Sequence, residues 1–154
     1  MVSSAPNQDN PSTEAAVHPF RLESIPAGRD CAVLRIEGDV DAYAAPQLRE
    51  LVADLAARGT RHVIADLRGA RFVDSAGLGA LVGSRKVLRL GGGSLALVAT
   101  SRQFLQTFQL TGLSDTFALH PRVPDAIAAD QRWQAAVAGE GDSTEEWCRR
   151  HSLL

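Results

Sequence analysis

The sequence predicts an α/β protein with a mixed, mainly parallel central sheet of about five strands and about four helices. Two observations carry the prediction. Apolar runs of strand length at 62–67 and 94–99 alternate with stretches whose apolar residues recur at helical spacing, as parallel strands joined by helical crossovers require. Ahead of them stand two strand-like runs joined by a short Pro- and Gly-containing link, which an antiparallel hairpin explains. A length of 154 residues with 45% hydrophobic side chains gives room for one domain with a sizeable core.

Residues 1–17 are rich in Ser, Pro and Asn and lack an apolar centre, the composition of a disordered arm and not of a secretory signal. The domain proper is expected over 18–133. Residues 20–25 alternate at period two and predict a half-buried strand, closed by a turn at Pro26, Ala27 and Gly28. Residues 31–36 predict a second strand with Cys31, Val33 and Arg35 on one face. A helix opens near Pro46, carries Leu48, Leu51, Val52 and Leu55 on one stripe, and ends at Gly59. The strand at 62–67 is followed by a helix bearing Leu78, Leu81, Val82 and Leu88, which Gly91, Gly92 and Gly93 stop.

After the strand at 94–99, Ser101 is placed to cap a helix that turns Phe104, Leu105 and Phe108 inward and stops at Gly112. Phe117, Ala118 and Leu119 make a short last strand, and Pro124 suits the first turn of a final helix through about Trp133. Residues 134–154 are expected as a C-terminal extension: a linker, then a short segment in which Glu145, Glu146, Arg149 and Arg150 support a helix through i,i+4 pairs. Trp133 and Trp147 are expected to cover the core edge or dock that tail.

Composition excludes several functions. A net charge of −2 and 5% aromatic residues supply neither the basic surface nor the stacking platform of a nucleic-acid binder. No apolar run reaches the ~20 residues that cross a bilayer. Two cysteines, Cys31 and Cys148, are too few and too scattered for a disulfide framework or a zinc site. The expectation is a cytoplasmic protein with reduced thiols that binds no nucleic acid, membrane, metal or cofactor. An acidic Mg²⁺ pocket from Asp39, Asp41, Asp66 and Asp74 would need an acidic pair after the first strand, where Pro26, Ala27 and Gly28 stand instead. Gly91–Gly93 lacks the Gly-Lys-Ser/Thr ending of a phosphate loop.

The most informative stretch is Phe72-Val73-Asp74-Ser75-Ala76-Gly77-Leu78-Gly79, where a buried strand hands over to a helix. The first N–H groups of that helix have no intrahelical partner and favour negative charge. A hydroxyl there can cap the helix or carry a phosphate. Catalysis by Ser75 would need a positioned base. His18, His62, His120 and His151 fall in the arm, a strand start, a strand end and the tail. No catalytic residue is expected. Asp39 and Asp41, in Gly38-Asp39-Val40-Asp41, follow a strand and precede a helix. They serve either the turn, through Asx bonds to backbone N–H groups, or an interface.

The element order, Gly38-Asp39-Val40-Asp41, the strand into Asp66-Leu67, and the 72–79 motif together resemble the STAS domain, more narrowly the bacterial anti-sigma factor antagonists. The resemblance covers roughly residues 18–130. It implies the STAS fold and a binding switch without catalytic activity. Its partner would be a serine-kinase anti-sigma factor of the GHKL type, bound through Asp39, Asp41, Asp74, Ser75, Ala76, Gly77 and Leu78 so that a sigma factor is released. Phosphorylation at the elbow would break the complex, and a PP2C-type phosphatase would reverse the mark. The chain is expected to be a monomer or weak homodimer.

One position departs. The best-known members carry the modified hydroxyl directly before the Gly, where this chain has Ala76. Either Ser75 is the acceptor, or Ser75 is a cap and the usual switch is absent. A STAS subunit of a larger signalling or lipid-transport assembly, without a phosphoswitch, is the alternative.

Overall fold

The computed structural model describes residues 19–154; the expected arm at 1–17 lies outside them. Strands β1 (Arg21–Ala27) and β2 (Cys31–Val40) form the expected antiparallel hairpin, with Arg21 opposite Glu37 and Ala27 opposite Cys31. The turn falls later than the sequence suggests. Pro26 stays in the strand opposite Ala32, tolerated because β1 is a sheet edge. Gly28, at φ 62°, begins the reversal.

Strands β3 (His62–Val73), β4 (Ser94–Val98) and β5 (Ala118–His120) run parallel to β2, and the sheet order is β1-β2-β3-β4-β5. Strands in unbroken order joined by right-handed crossovers put every crossover helix on the same face. Helices α1 (Ala44–Ala57), α2 (Ser75–Leu90) and α3 (Arg102–Leu110) obey this. Their Leu48, Val52, Leu81, Leu88, Phe104 and Phe108 share one buried cluster with Leu34, Ile36, Val63, Ala65 and Leu97 of the sheet. Phe104 and Phe108 point inward as the spacing predicts, whereas Leu105 is 36% exposed.

That rule leaves the second face of the sheet bare, and the chain beyond β5 covers it. The single final helix expected through Trp133 is instead two, α4 (Val123–Ala128) and α5 (Gln131–Gly139). Between them Asp130 turns extended and caps α5 by accepting a hydrogen bond from the Arg132 N–H at 2.8 Å. A third helix, α6 (Thr144–Arg150), follows. Ile127, Trp133, Val137, Trp147 and Leu153 pack against Cys31, Val33, Ile64 and Val98, so Cys31 and Val33 do share a face. Trp133 and Trp147 meet edge to face at 6.0 Å.

Helix α6 is not supported by the expected i,i+4 pairs. Ser143 and Glu146 form a capping box, Glu145 reaches Arg122, and Arg150 pairs with Glu140 and Asp142. The turn after α6 is held from the sheet. Arg35 donates to the carbonyls of His151 and Ser152, at 2.5 and 2.9 Å, and Arg68 donates to that of Leu153 at 3.0 Å.

Candidate functional site

Strands β2 and β3 run longer than their apolar cores predict, and the extra length builds the site. Two register shifts, between Arg35 and Glu37 and between Gly38 and Asp39, let β2 continue to Val40 beside the end of β3. Asp39 then lies opposite Phe72, and Val40 opposite Val73. The loops leaving the two strands are therefore neighbours at the carboxyl end of the parallel sheet, the usual location of binding sites in open α/β folds.

A backbone bond ties the loops together: the Asp74 N–H donates to the Val40 carbonyl at 3.2 Å. Asp74 then caps α2, its carboxylate accepting from the Gly77 N–H at 2.9 Å while its carbonyl accepts from Leu78 N–H. Gly77 is required by space. A Cβ there would stand 2.4 Å from the Val40 carbonyl oxygen and 2.8 Å from a Val73 methyl. Helix α2 can press against the end of β2 only because that atom is missing.

With Asp74 as the cap, Ser75 is not one, which removes the capping reading. Ser75 is the first residue of α2, exposed, and its hydroxyl makes no hydrogen bond with another described residue. Ala76 and Leu78 are half-buried and pack against the core beneath α2. At this elbow, then, the side chain at 75 faces solvent and the one at 76 turns toward the protein.

Asp41 heads α1, its carboxylate accepting from the N–H groups of Tyr43 and Ala44 at 3.0 and 3.1 Å and its carbonyl from that of Ala45. Asp39 is half-buried, and one of its carboxylate oxygens is buried with no hydrogen-bond partner among the described residues. Asp39, Asp41 and Asp74 are thus brought to one end of the sheet, as expected. Asp66 is not among them. It lies 4% exposed on the second face, in a two-point pair with Arg68 at 2.8 and 2.9 Å. The four-carboxylate pocket therefore does not form, and no metal-binding group occurs among the described residues. His62 sits at the opposite end of β3, hydrogen-bonded to Ser94 at 2.9 Å.

The sequence reading missed two aromatic side chains on this rim. Tyr43 is 87% exposed in the loop before α1, and Phe72 is 43% exposed opposite Asp39. Phe72 borders a shallow cleft, open to solvent, between the end of β3 and α3, lined also by Leu67, Val73 and Phe104. The only signal was their position: aromatics beside loop-forming polar residues in a chain otherwise poor in them. No described helix is long and apolar enough to cross a membrane.

A sequence model of the STAS domain matches residues 24–126, the sheet with its crossover helices. The anti-sigma-B factor antagonist of Bacillus subtilis is 40% identical over 82 residues, covering 53% of this chain and 74% of that one. An anti-sigma factor antagonist from Mycobacterium paratuberculosis superposes with a TM-score of 0.61 at 27% identity, covering 73% of this chain and 92% of that one. The Bacillus cell fate determinant SpoIIAA in its phosphorylated form gives 0.56 at 25% identity, over 72% and 98%. The chain belongs to the STAS domain family, among the bacterial anti-sigma factor antagonists.

Proposed function

We propose that this protein is an anti-sigma factor antagonist whose surface around Asp39, Asp41 and residues 74–78 binds a serine-kinase anti-sigma factor. The bound kinase releases its sigma factor, and phosphorylation of Ser75 ends the complex. One observation carries the reading: Asp74 caps α2, and the Ser75 hydroxyl is exposed at the head of that helix with no hydrogen bond to another described residue. The hydroxyl has moved one residue from the usual acceptor, and position 75 is the one a kinase active site can reach.

A phosphate there adds about −1.5 to −2 charges at pH 7. It stands on the outside of the fold and leaves the Asp74 cap in place. On a contact surface it opposes partner carboxylates and must be desolvated, so a local change breaks the complex. The protein works by binding and not by turnover, in keeping with His62 facing Ser94 away from the elbow. A GHKL-type kinase is the partner that matches this role, and a PP2C-type phosphatase would restore the binding form.

The test is incubation of the purified protein with ATP and candidate serine-kinase anti-sigma factors, read by intact mass and peptide mapping. One added phosphate on Ser75, absent from Ser75→Ala, is the expected result. A stable complex that never gains phosphate would reduce the proposal to a constitutive antagonist. Neither binding nor phosphate with any candidate would overturn it in favour of a subunit of a larger signalling or lipid-transport assembly.

A further inference from the structure

Helix α1 packs against α2, and Arg49 of α1 reaches across the first turns of α2. A Cβ added at Gly79 would stand 3.4 Å from an Arg49 guanidinium nitrogen, and one added at Gly83 would stand 3.7 Å from its Nε. Arg49 therefore lies on α2 itself, over two positions that carry no side chain. Its guanidinium makes no hydrogen bond or ion pair with another described residue, although Glu50 follows it and other arginines of this chain are paired.

Gly79 is four residues after Ser75, one helical turn on the same face of α2, where side chains stand about 5–6 Å apart. The first basic residue of α2 itself is Arg85, whose guanidinium lies over the Phe117 ring at 5.7 Å. About Ser75 also stand the carboxylates of Asp74 beside it and of Asp41 and Asp39 in the adjoining loop, and one further cation, Arg71, which lines the cleft toward α3. A phosphate on Ser75 thus enters an acidic neighbourhood in which Arg49 is the cation on its own helix face.

We infer that Arg49 is the counter-ion of phosphate on Ser75, a positioning residue that swings one turn along the Gly79–Gly83 surface to pair with it. The inference rests on Ser75 as the site of modification. The planar fork of a guanidinium matches two phosphate oxygens, and the missing side chains at 79 and 83 leave its path clear. The pair holds the phosphate against α1 and α2 in one orientation. It also withdraws from the partner surface a cation that the unmodified protein displays.

The experiment separates this claim from the kinase reading by installing phosphoserine at position 75 during translation. The second ionisation of the phosphate is then followed by ³¹P NMR in the otherwise wild-type chain and in Arg49→Gln, Arg49→Met and Arg49→Lys. A nearby opposite charge favours the dianion, so the wild-type phosphate should ionise about half a unit to one unit below that of Arg49→Gln. Arg49→Lys should recover part of the difference. Arg49→Met keeps the alkyl stem over the glycines and should behave as Arg49→Gln. Equal titration in wild type and both neutral variants would overturn the inference. Failure of every kinase to modify Ser75 would instead remove the phosphoswitch from the functional proposal and leave this measurement standing.

Discussion

Two residues, one of the elbow and one of the loop beside it, carry effects that a substitution can measure. Gly77→Ala would force its new methyl against the Val40 carbonyl at 2.4 Å, a contact with rigid backbone that cannot yield. Overpacking of that kind costs about 1–3 kcal/mol. Urea unfolding should report that loss, and kinase binding should fall with it as α2 lifts from β2. Asp41 heads α1 and, under the proposed function, also faces the kinase, and two substitutions separate these roles. Its carboxylate caps α1 through the Tyr43 and Ala44 N–H groups, so Asp41→Ala should cost about 1 kcal/mol, a fall in Tm of roughly 2–6 °C. Asp41→Ser keeps a capping oxygen and removes the charge. It should melt near wild type yet bind the kinase more weakly; binding equal to wild type would confine Asp41 to the turn.

At the scale of elements, the docking of α5 on the sheet makes the fold sensitive to acid. His62 lies 3% exposed at the start of β3, bonded to Ser94. Burial, with the positive charge of Arg132 next in weight, holds its pKa below the usual 6.5, while Asp130 and Asp30 oppose the shift and Arg61 adds to it. The unfolded chain therefore takes up the proton first. Stability is complete above about pH 6.5 and is lost as pH falls from there toward the folded value. Between pH 7.5 and 5.5 the Tm of wild type should drop more than that of His62→Gln; equal slopes would remove His62 from the acid response.

The strands and crossover helices were legible because apolar period and glycine stops both marked them. The ends of β2 and β3 were not. Glu37, Asp39, Arg68 and Arg71 look like loop residues, yet two register shifts carry the β2–β3 ladder past them. The break at Asp130 was hidden in an Ala-rich run that suits a continuous helix. At the site, Asp74 and Ser75 were both visible as polar elbow residues, but which of them capped α2 depended on side-chain direction, which no spacing records.

The whole molecule is closed by residues that lie past the family match. Trp147, Cys148 and Leu153 are fully buried against the second face of the sheet, and burial pushes the thiols of Cys31 and Cys148 up to about 12 and about 11. Each large apolar side chain so buried contributes about 1.5–3 kcal/mol. Against a total stability of about 5–15 kcal/mol, ending the chain after Gly139 should abolish a cooperative melt and admit a hydrophobic dye. A sharp transition within a few degrees of the full chain would show that α6 is dispensable. The Arg35 and Arg68 bonds that hold this segment were unreadable in advance because their acceptors are backbone carbonyls. The two edges of the same sheet have a consequence of another kind. β1 carries Pro26 with Arg21 and Glu23 outward, and β5 is three residues long, so neither offers a ladder on which another chain could grow. Edges blunted in this way keep copies of the protein from pairing strand to strand however closely they are crowded.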